Sequence, residues 1–302
     1  MGHDHAHGAG VRHRGRLLAV LALTLGVLVV QAVVGLLTGS LALLADAGHM
    51  LSDSFGLVLA LVAIAVAQRP GGPRQTYGVH RTEVLAAGLN GLVLLGICVI
   101  IAINALRRLE DPPAIEGGWV LAAGVVGLAV NVIGLFVLRA GARESLNVRG
   151  AYLEVLGDAL GSVAVIVSAV VILLTGWHLA DPIASLVIAA LVVPRAIGLP
   201  RDVAEVLLES SPRDVDLEQL RGHVLGVDGV VDVHDLHVWT ITSGMPVMSA
   251  HVVVDDSVAD MSDAHAVLDR LHQCLSDHFD VAHSTFQIEP VGHIETRCHA
   301  AG

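Results

Sequence analysis

The chain has 302 residues, of which 54% are hydrophobic, 3% are aromatic and 15% are charged, and its formal net charge is −12. An average soluble domain carries about 25% charged residues, so this composition excludes an ordinary soluble protein and is typical of helices in a lipid bilayer. The net negative charge argues against nucleic acid as a partner, because phosphate binding needs a basic surface.

Six apolar stretches fill the first two thirds of the chain, and each is close to the roughly 20 residues that cross a bilayer. They lie at about 17–37, 41–67, 83–106, 118–138, 151–175 and 179–199. Their order predicts three helical hairpins. Asp181-Pro182 and Pro194 interrupt the last stretch, and we expect Arg195 and Arg201 to follow the last span. The first stretch has no evident small-residue cleavage site after it, which favours a retained helix over a signal peptide.

The links between the apolar stretches differ in basic charge. Every basic residue in the chain is an arginine. Eleven arginines of the first 201 residues fall on the side shared by both termini, and two, Arg107 and Arg108, fall on the other. The positive-inside rule therefore predicts that both termini are cytoplasmic, and we expect a multi-pass protein of the inner cell membrane.

The remaining part of the chain has a different character. The formal charge is +2 over residues 1–201 and −14 over residues 202–302. Hydrophobic periodicity predicts a helix, two strands, a second helix and a third strand. These elements cover 214–225, 230–241, 247–254, 262–279 and 284–289, and Ser262 or Asp260 is expected to cap the second helix. This order predicts a ferredoxin-like α+β domain with helices on one face of an antiparallel sheet.

These patterns predict a membrane α-helical bundle of six transmembrane helices followed by a cytoplasmic α+β ferredoxin-like domain. The predicted parts are a histidine-containing cytoplasmic tail at 1–16, the transmembrane domain at 17–200, the ferredoxin-like domain at 201–291 and a tail at 292–302.

Five ionisable residues lie inside two of the predicted spans. The second span contains Asp46, His49 and Asp53, and the fifth contains Glu154 and Asp158. Each such group in a bilayer costs at least a few kcal/mol unless it is paired, hydrated or coordinated. These residues therefore predict a functional site within the membrane.

The spacing of four of these residues indicates a metal site. His49 and Asp53, like Glu154 and Asp158, are four residues apart, which places each pair on one helix face. One imidazole and three carboxylates suit tetrahedral zinc, although cadmium, cobalt, iron and manganese are compatible on geometry alone. Asp46 is expected to support the site through its neighbours or to cap the helix. The intramembrane amides are expected to form hydrogen bonds between helices, and they are Asn90, Asn104 and Asn131.

Four segments, in this order and spacing, resemble the cation diffusion facilitator family in its zinc/cadmium/cobalt efflux branch. They are LADAGHMLSDSFGL (44–57), YGVHRTEVLAAGLNG (77–91), NVRGAYLEVLGDALGSV (147–163) and HDLHVWTI (234–241). The resemblance implies six transmembrane helices, a cytoplasmic ferredoxin-like domain, a homodimer, and export of a divalent metal, with Zn²⁺ as substrate and H⁺ as counter-ion. No organic cofactor is expected.

The resemblance also implies a transport site at His49, Asp53, Asp158 and position 154. The zinc-transporting branch commonly has histidine at the last of these positions, whereas this chain has Glu154. A carboxylate there adds negative charge and hardness, so the preference for zinc over cadmium, cobalt, iron or manganese is left open.

The ferredoxin-like domain contains further candidate ligands, in positions that resemble the regulatory metal sites of the family. They are His234, His251, His265, His283 and Glu289. Strand alternation places His237 on the face opposite His234 or nearer the hairpin. Zinc bound there would bridge two acidic domains, although exposed histidines without a metal are the alternative.

Three histidines near the N-terminus, His3, His5 and His7, are weaker candidates for metal capture. Other functions can also be compared with this pattern. The zinc-protease signature H-E-x-x-H is absent from the sequence, which argues against a metalloenzyme. A metal-gated channel or a membrane metal sensor could use the same intramembrane site, and the sequence leaves these alternatives open.

Overall fold

A computed structural model describes residues 5–69, 71–139, 146–279 and 283–293. The chain divides into two compact units. One unit comprises Met1–Val62 and Ala86–Pro200, and the other comprises Ala63–Leu85 and Arg201–Gly302.

Among the described residues, six helices are long and apolar enough to cross a membrane. They are α1 (His5–Thr38), α2 (Leu41–Ala67), α3 (Arg81–Glu110), α4 (Gly117–Arg139), α5 (Leu146–Thr175) and α6 (Ala180–Leu207). The apolar part of α1 begins at Ala19. The prediction of six spans is confirmed, and α1 begins well before the predicted span.

Helix α6 is longer than its predicted span. It continues through Pro194 and Pro200 to Leu207. Proline inside a transmembrane helix is tolerated because neighbouring groups can satisfy the freed backbone carbonyl, and Pro182 lies in the first turn, where no helical N–H bond is lost. Arg195 and Arg201 therefore lie inside α6, and the prediction that they follow the last span is wrong.

The links between paired helices are short and turn sharply. Gly39 between α1 and α2 has φ +70°, and Gly176 between α5 and α6 has φ +68°, a region that favours glycine. The first turn of α2 is capped from another helix, because Asp181 of α6 accepts hydrogen bonds from the backbone N–H groups of Leu41 and Ala42 at 2.7 and 3.3 Å. Asp181 thus joins the starts of two helices.

Small side chains allow the helices of the first unit to approach closely. Its core includes Ala42, Ala45, Ala123, Ala169 and Ala184, all nearly inaccessible to solvent. Because lipid offers no hydrophobic driving force between helices, such close packing is what stabilises a bundle in a bilayer.

Two of the three predicted interhelical amides form such bonds. Ser52 donates to Asn90 and Asn131 donates to Ser162, each at 3.4 Å. Asn104 instead donates to the carbonyl of Ile100 in its own helix at 2.8 Å. That part of the prediction is wrong, because the Asn104 side chain donates this hydrogen bond within its own helix.

The C-terminal part has the predicted element order. Its helices are α7 (Leu217–Leu225) and α8 (Met261–His278), and its strands are β1 (Val230–Thr240), β2 (Pro246–Val254) and β3 (His283–Pro290). Asp216 caps α7 and Asp260 caps α8, each accepting from two backbone N–H groups. Helix α7 starts three residues later than predicted because Asp216 occupies the cap.

The sheet formed by the described strands has the order β1-β2-β3. Strands β1 and β2 are antiparallel, but β2 and β3 are parallel. The predicted antiparallel sheet is therefore wrong for this pair, because α8 crosses over between β2 and β3 and returns the chain in the same direction. The core packs Leu220 and Val224 of α7 and Leu271 of α8 against the sheet.

A bulge in β1 changes which side chains share a sheet face. Asp235 has φ +45°, and the register shifts between His234 and His237. His234 lies opposite His251 and His237 lies opposite Ser249, two residues along the same strand. Because the bulge inserts one residue, His234 and His237 lie on the same face. The predicted opposite face is therefore wrong, whereas the alternative, a position of His237 nearer the hairpin, is confirmed.

Candidate metal centre

Three of the four predicted transport ligands lie together between α2 and α5. One ligand atom from each of His49, Asp53 and Asp158 lies within 4.8 Å of the other two. His49 Nε2 is 3.4 Å from Asp53 Oδ2 and 3.8 Å from Asp158 Oδ1. Helical spacing places His49 and Asp53 on one face of α2, as predicted, and α5 presents Asp158 to that face.

These distances suit an ion better than direct hydrogen bonds. Protein hydrogen bonds of this type measure about 2.7–3.2 Å. A tetrahedral zinc ion with bonds of about 2.0–2.2 Å holds its ligand atoms roughly 3.4 Å apart. The Asp158 side chain is 3% exposed, and its Oδ1, like His49 Nδ1, has no hydrogen-bond partner among the described residues. A buried carboxylate oxygen without a partner needs a cation or a proton.

The fourth predicted ligand, Glu154, has a different environment. It is more exposed than Asp158, and its Oε1 lies 3.7 Å from Nη2 of Arg195 on α6. The same guanidinium contacts both carboxylate oxygens of Asp53, at 3.1 Å to Oδ1 and 3.3 Å to Oδ2. Arg195 therefore joins the ligand helices α2 and α5 through ion pairs.

Asp46 lies one turn before His49 and is 1% exposed. Its Oδ2 accepts a hydrogen bond from Gln31 Nε2 on α1 at 2.7 Å. Its Oδ1 lies against Gly161 of α5, where a side chain would collide with it. Asp46 is outside the three-residue cluster, and its supporting role remains a prediction.

A cavity of about 150 Å³ adjoins the cluster. Polar residues from three helices line it, and they are Asp46, His49, Glu154 and Arg195; Gly157 and Gly161 leave room on the α5 side. This volume is large enough to hold several water molecules beside the cluster.

A second cluster lies on the sheet of the C-terminal domain, with one residue from each described strand. Glu289 of β3 is 3.1 Å from His234 Nε2 through Oε2 and 3.0 Å from His251 Nδ1 through Oε1. Gln287 also donates to Glu289 at 2.7 Å. Burial raises the pKa of the Glu289 carboxyl, but hydrogen bonds from Gln287 and His234 lower it by more, so its pKa lies below the usual value.

The other predicted candidates of this domain are elsewhere. His265 is 76% exposed on α8 and lies 3.6 Å from Asp269. His283 is exposed at the start of β3, with its ring 6.2 Å from that of Tyr77. Neither joins the cluster of His234, His251 and Glu289. The structure thus brings together three of the five predicted residues.

The predicted N-terminal metal ligands are not described. His3 lies outside the described residues, and the side chains of His5 and His7 lie outside them as well. Metal capture by these three histidines remains a prediction.

Both parts of the chain match known protein families. Residues 17–208 match the family description "Cation efflux transmembrane domain", and residues 212–291 match "Cation efflux protein, cytoplasmic domain". The chain belongs to the cation diffusion facilitator family. The resemblance inferred from four sequence segments is therefore confirmed, together with the fold of a transmembrane bundle and a cytoplasmic α+β domain.

Three curated relatives place this facilitator in the zinc/cadmium/cobalt branch. It is 43% identical over 288 residues to "Cation efflux system protein CzcD" of Alcaligenes sp. strain CT14, covering 95% of this chain and 90% of the relative. It is 38% identical to the "Cadmium, cobalt and zinc/H(+)-K(+) antiporter" of Bacillus subtilis, covering 97% and 93%. It is 40% identical to "Zinc transporter ZitB" of Escherichia coli, covering 96% and 93%.

Membership makes the chain a divalent metal cation efflux protein, in a family of transporters rather than of enzymes. Sequence reasoning missed one residue that contacts the candidate centre, Arg195. The available signal was charge, because three carboxylates around one divalent ion leave one negative charge unbalanced in an apolar medium. That imbalance calls for a nearby cation.

Proposed function

We propose that this facilitator exports Zn²⁺ from the cytoplasm in exchange for H⁺, by alternating access to a site at His49, Asp53, Glu154 and Asp158. The observation that carries the proposal is the buried Asp158 oxygen without a hydrogen-bond partner, 3.8 Å from the imidazole of His49 on another apolar helix. Such an arrangement costs free energy unless a cation or proton occupies it.

Coupling to protons is supported by energetics. Moving a divalent ion outward against an inside-negative potential costs about 4.6 kcal/mol per 100 mV, so a passive pore would carry the metal inward. One proton entering for each metal halves the net charge moved and adds the pH gradient as a driving force. Metal binding requires deprotonated ligands, so metal and protons compete for the same imidazole and carboxylates.

The names of the relatives support zinc and protons. One relative is called a zinc transporter and another a cadmium, cobalt and zinc/H(+)-K(+) antiporter. Zinc is the proposed substrate because one imidazole and three carboxylates match its preferred ligands. A carrier that prefers Cd²⁺, Co²⁺, Fe²⁺ or Mn²⁺ is the alternative outcome of a metal-competition assay, since Glu154 makes the site harder.

Proteoliposomes containing the chain are expected to accumulate Zn²⁺ when their lumen is more acidic than the bath. For one proton per metal at zero membrane potential, each pH unit supports about a tenfold Zn²⁺ concentration ratio. A luminal zinc dye measures the ratio, and a protonophore that collapses the gradient is the control. Flux that is saturable and follows the gradient supports a carrier. Flux that ignores the gradient contradicts exchange, and binding without flux would indicate a sensor.

The orientation of the chain in the membrane is part of the same proposal. Without Arg195, which pairs with Asp53 and Glu154 at the cluster, ten arginines of the first 201 residues fall on the side of both termini and two on the other. This bias supports cytoplasmic termini in the inner cell membrane. We also propose domain bounds of 17–200 for the membrane part and 201–291 for the soluble part, with tails at 1–16 and 292–302.

The facilitator is further proposed to act as a homodimer whose cytoplasmic domains respond to zinc. The region 202–302 carries a formal charge of −14, so two copies repel each other unless cations are bound. His234, His251 and Glu289 offer two nitrogens and a carboxylate to a zinc ion. Zinc at this cluster would relieve the repulsion when the cytoplasmic metal load is high.

The His251→Ala variant is expected to bind one Zn²⁺ fewer per chain than the native protein. His251 supplies one ligand of the cytoplasmic cluster, and two remaining ligands hold zinc weakly. Equilibrium dialysis of the purified full chain measures the stoichiometry. His265→Ala is the matched control, because this histidine is exposed outside the cluster. Equal loss from both variants would argue against the cluster as the site.

A further inference from the structure

Arg195 is a fixed cation at the transport site, and its contacts are specific. Its two terminal nitrogens lie 3.1 and 3.3 Å from the two carboxylate oxygens of Asp53, which places the guanidinium charge beside this carboxylate. Nη2 also lies 3.7 Å from Glu154. Among the residues that the structure describes in the first unit, this guanidinium is the group that neutralises the site's carboxylates.

The contacts of Asp53 imply competition with a metal. Its Oδ2 lies 3.4 Å from His49 Nε2 and 3.3 Å from Arg195 Nη1. A zinc ion between His49 and Asp53 binds that oxygen at about 2.0–2.2 Å, which brings two positive charges close to the same atom. The two cations repel each other at this short distance, which favours movement of the guanidinium away from Asp53 when the metal enters.

Apart from Asp46, whose carboxylate accepts from Gln31, the charges around the cluster match one divalent ion. Ionised Asp53, Glu154 and Asp158 carry three negative charges, and Arg195 supplies one positive charge. The remaining charge of −2 is the charge that a divalent ion neutralises. Without Arg195 the site would retain one unbalanced negative charge around the bound ion, which strengthens metal binding and slows release.

We propose that Arg195 is a tethered counter-ion of the transport site, which binds Asp53 and Glu154 when no metal is present and is displaced by the incoming metal. This inference rests on the proposed function, and it adds a residue that sets metal affinity without binding the metal. Because the arginine returns to Asp53 as the ion leaves, it favours release. It also offsets the additional negative charge that Glu154 brings.

The Arg195→Gln variant is expected to bind Zn²⁺ about tenfold more tightly and to transport it with both a lower KM and a lower maximal rate. A residue that only stabilised the fold would lower the rate without tightening binding. The Arg195→Lys variant, which keeps the positive charge, is expected to stay within about threefold of the native affinity. In this proposal the charge of the side chain, and not the planar shape of the guanidinium, determines the metal affinity.

Charge-matched variants separate this effect from misfolding. Glu154→Gln is expected to weaken Zn²⁺ binding, because it removes both a proposed ligand and a negative charge. The double variant Arg195→Gln, Glu154→Gln, which has the native net charge, is expected to bind Zn²⁺ more tightly than Glu154→Gln alone. Arg201→Gln is the control, because Arg201 lies on the same helix and pairs with Glu205 at 3.4 Å instead. If Arg195→Gln does not fold, the proposal is still tested by the relative Zn²⁺ affinities of three other variants. These are Glu154→Gln, the double variant and Arg195→Lys.

The experiment measures Zn²⁺ dissociation constants of the full chain in lipid nanodiscs, in a His234→Ala, His251→Ala background that removes the cytoplasmic cluster. Flux in proteoliposomes is measured in parallel. Tighter binding by Arg195→Gln and a return toward native affinity in the double variant support the tethered counter-ion. Unchanged or weaker binding by Arg195→Gln overturns it. Absence of flux in the native chain would defeat the proposed function instead, while the dissociation constants would still decide the role of Arg195.

Discussion

The Asp158→Asn variant is expected to lose Zn²⁺ transport while keeping its fold. Asparagine has the shape of aspartate but carries no negative charge, and a neutral amide is a poor ligand for zinc. Removal of partners that only orient metal ligands costs about 10- to 100-fold in affinity, so loss of a direct ligand is expected to exceed that range. No stabilising hydrogen bond is lost from Oδ1, because this oxygen has no such partner among the described residues.

Zinc binding, zinc flux and thermal unfolding of the full chain together measure this outcome. Asp111→Asn is the matched control, because Asp111 is an exposed aspartate in the link between α3 and α4. The expected pattern is loss of binding and flux in Asp158→Asn, with a melting temperature equal to or above the native value in the absence of metal. Full flux in this variant would remove Asp158 from the transport site.

Helical periodicity was sufficient to predict the centre of the site. Charges four residues apart in an apolar segment must share a helix face, and charged faces of two spans must meet because lipid cannot solvate them. His49, Asp53 and Asp158 lie together for this reason. The separation of Glu154 from the cluster was not predictable, because it depends on a contact with a third helix, α6.

Sequence analysis did not predict the interhelical contacts of two charged residues in α6, Asp181 and Arg195, because each lies next to a proline. Pro194 before Arg195, and Asp181 before Pro182, read locally as ends of a span. In the structure both charged residues bind partners distant in sequence, Arg195 with Asp53 and Asp181 with Ser40. Local sequence rules describe what a segment does to its own backbone, whereas these two side chains satisfy groups on a neighbouring helix.

In the C-terminal domain, too, local sequence patterns predict the elements but not how they pair. The order of its elements followed from hydrophobic periodicity and turn residues, and it is confirmed. The parallel pairing of β3 and the bulge at Asp235 depend on how the strands meet. The bulge leaves His234 directly opposite His251, where Glu289 can contact both, and alternation alone does not predict it.

The Asp181→Ala variant is expected to lose stability without losing zinc affinity. Asp181 is fully buried and accepts from Ser40 Oγ at 2.5 Å, from Leu41 N at 2.7 Å and from Ala42 N at 3.3 Å. Loss of a helix cap costs about 0.5–2 kcal/mol, and each buried donor left without a partner adds roughly 1–3 kcal/mol. The free energy of unfolding is therefore expected to fall by several kcal/mol.

The contrast between Asp181 and Asp158 tests how buried carboxylates divide their roles. Both lie in transmembrane helices and are at most 3% exposed, but hydrogen bonds satisfy both oxygens of Asp181 and leave one oxygen of Asp158 open. Asp181 also lies fourteen residues before Arg195, roughly 21 Å away along α6. Ser40→Ala, which removes one of the three donors, is expected to cost less stability than Asp181→Ala. Weaker zinc binding by Asp181→Ala in the folded state would contradict this separation, because the variant leaves every contact of His49, Asp53 and Asp158 unchanged.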